Sequence, residues 1–286
     1  MCLLIITTLT VFSGNLYAES AVWKISKDDQ YFYLGGTVHL LSPSDHPLPA
    51  EFTQAYQDAD SIIFETDLVE SKSPAFQARF FQAMTYSDGR TLETVLNPET
   101  YKRLGDFLAA RNIPLENLAL FQPWGAALLI TVMEYQRLGM LPEYGVEEYF
   151  SKLATRDKRQ ILALESADEQ LSFLQSMADV EPNTSMDYTL QDLEQLPEFI
   201  DFLKTSWRTG DVEAFSSHTY IVKMKSEFPE LYQALVTRRN NAWMKQLATL
   251  NNNDTTEFVL VGTMHLNGEE GLLSQLRSLG FAVAQL

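Results

Sequence analysis

Residues 31–41, YFYLGGTVHLL, have a counterpart near the far end of the chain at residues 257–271, EFVLVGTMHLNGEEG. Each is an apolar, β-rich run that stops at a Gly-Thr-x-His-Leu step. The steps are Gly36, Thr37, His39 and Leu40, then Gly262, Thr263, His265 and Leu266. A run of Val, Leu, Phe and Tyr without polar alternation predicts a strand covered on both faces. A glycine at its carboxyl end permits a sharp turn or a close approach. The imidazole that follows then stands at the mouth of the sheet, where open α/β folds place ligands and chemistry. The chain holds four histidines, and two of them occupy these matching steps. If the two strands are neighbours, His39 and His265 face one cleft. The alternative is a chance recurrence of a common strand-to-helix turn.

Composition sets the outer bounds. The 286 residues carry 21 Lys and Arg against 38 Asp and Glu, a net charge of −17. Such a charge repels nucleic acid and anionic membrane surfaces, so no nucleic-acid partner is expected. At 45% hydrophobic and 21% charged residues, the chain can bury a real core. Residues 1–18, MCLLIITTLTVFSGNLYA, read as a signal peptide, although no Lys or Arg precedes the apolar stretch. The segment is too short and interrupted for a stable span; a buried first strand or an uncleaved anchor are the alternatives. Its removal leaves residues 19–286, a periplasmic or secreted location and no stable membrane span. Cys2 is the one cysteine. The mature part then has no disulfide, no thiolate metal site and no cysteine nucleophile.

Between the two steps the chain alternates strand and helix signals. Residues 21–26 and 31–38 form a hairpin around the polar turn 27–30. Residues 61–66 form a strand ending at Glu65, with Asp67 two residues on and on the same face. These carboxylates can bind a metal or polarise a histidine. They can equally serve the dipole of the next helix. A strand at 160–164 ends at Glu165, a further candidate acid or a cap for a helix at 168–177. Helices are expected at 74–84, 98–111 and 123–138, each opened by a proline. Residues 181–196 are acidic and turn-rich and read as a linker or lid. Long amphipathic helices follow at 198–209, 211–225 and 229–250, with Gly210 as the break between the first two. His46 reads as a solvated loop residue and His218 as structural. No phosphate loop, dinucleotide fingerprint or GxSxG elbow is present. The fold class is α/β: a single mixed β-sheet with surrounding helices and a large helical insertion, about 70–140 and 180–250, within one domain.

The paired GxxH steps, with the second continuing as HLNGEEGLLSQLRSLGF, resemble the TraB/PrgY/GumN family, which includes the Tiki metalloproteases. Four intervening segments fit in order: FETDL at 64–68, GVEEYF at 145–150, ALESADEQL at 163–171 and RNNAW at 239–243. The resemblance covers residues 23–286. It implies a fold shared with erythromycin esterases and ChaN-like proteins, and a role for Arg239 and Asn240 in the RNxxW helix. Glu147 departs from it, standing where most bacterial members carry Asp.

Three function classes follow. The first is a metal-dependent hydrolase, a peptidase acting on peptide or protein substrates. His39, Glu65 and His265 bind one divalent metal, with Glu165 beside them as support or general base. Two imidazoles and a carboxylate are the ligand set of catalytic sites that keep a water. Arg239 or Asn240 would stabilise the oxyanion. Zinc is the general expectation, and the Tiki resemblance implies manganese or cobalt. The second class is a metal-independent esterase-like hydrolase with a histidine base and an orienting acid. The third is a non-catalytic binding module for a peptide pheromone or haem, as PrgY-like and ChaN-like members imply. A homo-oligomer stays open.

Overall fold

The computed structural model describes residues 20–252 and 254–286; the signal peptide expected at 1–18 lies outside the described residues. Six strands form one sheet: β1 (Val22–Lys27), β2 (Gln30–Thr37), β3 (Ser61–Thr66), β4 (Gln160–Glu165), β5 (Glu257–Gly262) and β6 (Ala282–Gln285). Their order is β4-β3-β5-β2-β1-β6. β4, β3, β5 and β2 run parallel, while β1 pairs antiparallel with β2 and with β6. The sheet is therefore mixed, and the fold is α/β as expected. The decisive feature is the position of β5. It inserts between β2 and β3, so the two Gly-Thr-x-His strands are neighbours, with Thr37 opposite Gly262.

The strand sequences explain their places. Every residue of β3, SIIFET, is buried, and all of β5, EFVLVG, except its last glycine. A strand covered on both faces and paired on both edges needs no polar alternation. β4 lies at the edge and keeps exposed positions at Gln160 and Leu162. The β1–β2 turn places Asp28 at φ 53°, a left-handed position that Asp tolerates better than most residues.

The longer helices are α1 (Ala50–Asp58), α2 (Pro74–Ala83), α3 (Pro98–Ala109), α4 (Pro123–Arg137), α5 (Val146–Asp157), α6 (Ala167–Gln175), α7 (Pro182–Glu194), α8 (Leu196–Thr209), α9 (Thr219–Glu227), α10 (Arg238–Leu247) and α11 (Leu272–Ser278). Ser73 and Asn97 cap α2 and α3 by accepting from Phe76 and Thr100, each one residue before the opening proline. Phe52 of α1 and Phe150 of α5 close on Phe258 of β5 at 6.3 and 5.6 Å between ring centroids. Each such buried ring contributes about 1.5–3 kcal/mol. Trp207 of α8 joins them and donates from Nε1 to the Gly36 carbonyl at 2.8 Å, which pins the first histidine step.

Three expectations are corrected. Residues 181–196 are neither linker nor lid. Glu181 caps α7, which buries Met186, Leu190 and Leu193 against α4 and its neighbours. Those three positions form one helical stripe, which the acidic character of the segment obscured. The helix expected at 211–225 breaks at His218, whose Nδ1 accepts from the Tyr220 amide and opens α9. The helix expected at 229–250 contains a π turn, Gln233–Thr237, immediately before α10, whose second residue is Arg239. Such turns shift the helix face by a fraction of a turn and recur at functional sites. Among the described residues, no helix is long and apolar enough to cross a membrane.

Candidate active site

The parallel strands end together at Thr37, Thr66, Glu165 and Gly262. Their carboxyl ends form the crevice that open α/β sheets use for ligands. Thr263 Oγ1 donates to the Thr37 carbonyl at 2.9 Å and ties the two histidine steps together. After Gly262 the 3-10 turn Thr263–His265 folds the second imidazole back into the crevice, where His265 is 5% exposed.

Arg239 is the hub of the buried half. Its Nε and Nη2 donate to the Glu165 carboxylate at 3.1 and 2.6 Å, and Nη2 also reaches Glu65 at 2.7 Å. Nη1 reaches the Leu235 carbonyl at 3.3 Å and His265 Nε2 at 3.1 Å. Trp243, one turn along α10, donates from Nε1 to Glu165 at 3.0 Å and lays its ring 4.7 Å from the guanidinium. Burial opposes the Glu65 charge most strongly, but Arg239, the two imidazoles and the Gly262 amide together outweigh it and hold the carboxyl at about 2. Glu165 goes the other way. Burial, with the nearby Glu65 charge, raises it despite Arg239.

His265 is held in one tautomer. Asn240 Nδ2 donates to the carbonyls of His265 and Glu270 at 3.1 and 2.9 Å. Its Oδ1 is thereby left facing His265 Nδ1 at 2.7 Å. An amide oxygen only accepts and a guanidinium only donates, so Nδ1 carries the proton and Nε2 the lone pair. Burial pushes this imidazole down to about 3, which keeps it neutral.

His39 sits on the open side of the crevice with its side chain 66% exposed. Its Nδ1 lies 2.8 Å from Glu147 Oε1, which also accepts from the Thr37 hydroxyl. Glu147 reaches this place because Gly145 passes directly against the His39 carbonyl; a Cβ there would stand 2.1 Å from that oxygen. The Glu147 charge raises the imidazole to about 9, with burial opposing and solvent screening part of the effect.

These groups converge over Gly262. The point where a Cβ on Gly262 would sit is 3.1 Å from Glu65 Oε1, 3.7 Å from His265 Cδ2 and 3.9 Å from His39 Nε2. Glu65 Oε1 also accepts the Gly262 amide and lies 3.7 Å from His265 Nε2. The donor chemistry suits a divalent metal ion: two imidazoles anchored through Nδ1 and a carboxylate beside them. In the present arrangement Arg239 Nη1 occupies the His265 lone pair, and no three His, Cys, Asp or Glu groups among the described residues already stand as a metal cluster.

The sequence-derived candidates His39, Glu65, Glu165, Arg239, Asn240 and His265 thus share one crevice, and the geometry revises some of their roles. Arg239 directs its N–H groups at Glu65, Glu165, Leu235 and His265, and Asn240 directs its amide at two carbonyls. In this arrangement each of those N–H groups already has a partner, so the expected role toward a substrate oxyanion would require an exchange of partners. Both Glu165 oxygens are bound by Arg239 and Trp243, which suits support of Arg239 and not general-base work. Asp67 is not part of the site; it caps the short helix Leu68–Ser71 by accepting from Val69 and Glu70. Glu147 and Trp243 gain roles that were not assigned to them. The motifs GVEEYF and RNNAW contain both, but neither segment reveals which partner its acid or indole meets.

A match to the TraB/PrgY/gumN family spans residues 21–285. The chain is 24% identical over 271 residues to the uncharacterized protein YbaP of Escherichia coli (strain K12), covering 95% of this chain and 97% of that one. The uncharacterized protein YbaP of Shigella flexneri matches to the same extent. No solved structure matches the chain. With the match running from β1 through β6 and including every residue of the crevice, the chain belongs to the TraB/PrgY/gumN family.

Proposed function

We propose that this chain is a metal-dependent hydrolase acting on peptide or protein substrates outside the cytoplasm, with the crevice over Gly262 as its active site. One observation carries the reading: both imidazoles are anchored at Nδ1, by Glu147 and Asn240, beside Glu65 and around one point. His39, Glu65 and His265 would hold the ion, with zinc, manganese or cobalt as candidates. When bound, such an ion lowers the pKa of a water and polarises a carbonyl.

The chain's own groups have distinct tasks. Asn240 keeps the His265 proton on Nδ1 and so keeps Nε2 available. Arg239 keeps Glu65 ionised and fixes its direction, while Glu165 and Trp243 fix Arg239 in turn. As a ligand, His265 would exchange its contact with Arg239, which retains its bonds to both carboxylates. His39 would give up its Nε2 proton. Glu147 holds the opposite nitrogen and sets the ring orientation.

A second reading is favoured by the contact between Arg239 Nη1 and His265 Nε2. In it His265 stays a structural acceptor and the His39–Glu147 pair acts alone, as in a metal-independent esterase-like hydrolase. It ranks second because it leaves the convergence of His265 and Glu65 with His39 over Gly262 without a task. Protein purified without chelator, with His39→Ala and His265→Ala variants, separates the two. The first reading expects stoichiometric transition metal, and loss of both metal and peptide cleavage in each variant. Cleavage that survives chelator, or full metal content in either variant, sinks it. A metal-free protein that cleaves nothing and binds a pheromone-like peptide or haem would make the chain a binding module.

A further inference from the structure

Next to the crevice, helices that follow β3 and β4 line a cavity of about 520 Å³, with walls from α4, α7, α8, α9 and the π turn. Its body is apolar and aromatic, with Leu128, Phe199, Phe228, Leu231 and Leu235 among its walls. Polar residues also line it: Tyr135, Tyr188, Tyr220, Asp192 and Lys223. The Tyr188 hydroxyl is buried without a hydrogen-bond partner among the described residues. Asp192 and Lys223 feel each other's charge but form no ion pair. Burial pushes the Asp192 carboxyl up to about 6. A structural core closes its polar groups on one another. A volume in the range of small-ligand sites, apolar walls and a few unbonded polar tips are the marks of a binding pocket.

Two residues lie between the cavity and the crevice. Leu235 lines the cavity, and its carbonyl accepts from Arg239 Nη1. Met264, the neighbour of His265 in sequence, packs in one apolar cluster with Met224, Leu231 and Leu235, which line the cavity.

We propose that this cavity takes a large apolar side chain, aromatic or branched aliphatic, of a peptide whose bond is presented at the Gly262 crevice. The peptide unit carries one donor and one acceptor, and the unpaired Asp192 and Lys223 match them in kind. The walls match the side chain. As a substrate subsite this rests on the hydrolase reading, but occupancy of the cavity can be measured without turnover.

The test uses the full chain and the neutral aromatic dye N-phenyl-1-naphthylamine. Its fluorescence should rise saturably with one site per chain, and a short Phe- and Leu-containing peptide should displace it, while a Gly- and Ser-containing one should not. Thr189→Trp, which fills the cavity from α7, should weaken dye and peptide binding at least tenfold; Ser185→Met serves if that variant does not fold. His265→Ala, outside the cavity lining, should leave dye binding unchanged. In turnover, the filled variant should raise KM for the Phe-containing peptide with kcat nearly kept. Absence of saturable binding, binding indifferent to filling, or displacement by a fatty acid and not by the peptide overturns the proposal. Peptide binding that responds to filling, without cleavage, keeps the pocket and sinks only the hydrolase reading.

Discussion

Two buried ion clusters in this protein are mirror images. In the helical region one carboxylate, Glu134, is gripped by two arginines: Arg111 at 2.7 and 3.0 Å and Arg137 at 2.7 Å. At the sheet mouth one arginine, Arg239, is gripped by two carboxylates. The Glu134 side chain is 3% exposed, but its arginines are 23% and 54% exposed, so their excess positive charge is solvated. At the sheet mouth Arg239, Glu65 and Glu165 are all buried, at 9%, 7% and 4%. There the excess negative charge is not solvated, and a neutral imidazole stands beside it. A cluster whose surplus charge faces water fastens helices together. One whose surplus charge is buried at the end of a parallel sheet is of the kind that clusters at functional sites.

The largest expected effect breaks the sheet-mouth cluster at its hub. Arg239→Met strands two buried carboxylates and should lower stability by about 3–5 kcal/mol in urea unfolding. Adding Glu65→Gln and Glu165→Gln should recover most of that loss without recovering activity. Arg239→Lys should restore little, because one ammonium cannot span both carboxylates and His265. A loss below about 1 kcal/mol for Arg239→Met would mean that the cluster is solvated after all, on the scale of exposed pairs.

The next effect separates the clusters by pH. Arg111 and Arg137, against a smaller opposing effect of burial, hold Glu134 at about 2, below its usual 4.5. A carboxyl depressed in the folded state contributes stability that is fully present above the unfolded pKa and is lost as pH falls through the folded one. The wild type should therefore lose about 1–2 kcal/mol more than Glu134→Gln between pH 5 and about 2, a range discounted because the arginines face water. Equal acid sensitivity in the two proteins would remove Glu134 as a source of acid lability. The smallest effect compares the two acids at the end of β3. Asp67→Ala should cost about 1 kcal/mol from a lost cap and leave activity unchanged. A loss of activity would return Asp67 to the site.

The strands and the site candidates were legible for the same reason. A doubly covered strand needs an unbroken apolar run, and β3 and β5 carry one. A repeated Gly-Thr-x-His step then marks which strand ends matter. The helices opened by Pro74, Pro98 and Pro123 were legible because proline at the first helical position leaves a local signal. Less legible was α7, whose buried stripe of Met186, Leu190 and Leu193 lies among acidic and polar neighbours. The π turn before Arg239 left no local mark at all.

What the sequence determined by itself is the groups at the strand ends, His39, Glu65, Glu165 and His265, because strand periodicity and strand ends are local properties of the chain. What only the tertiary structure decided is which donor meets which acceptor. Glu147 meets His39 from 108 residues away in sequence, Asn240 meets His265, and Arg239 meets both Glu65 and Glu165. Those pairings assign the proton to Nδ1 of His265, place a carboxylate at Nδ1 of His39, and engage the donors that were candidates for an oxyanion. They depend on β5 inserting between β2 and β3 and on the helix face set by the π turn, long-range choices that no single stretch encodes.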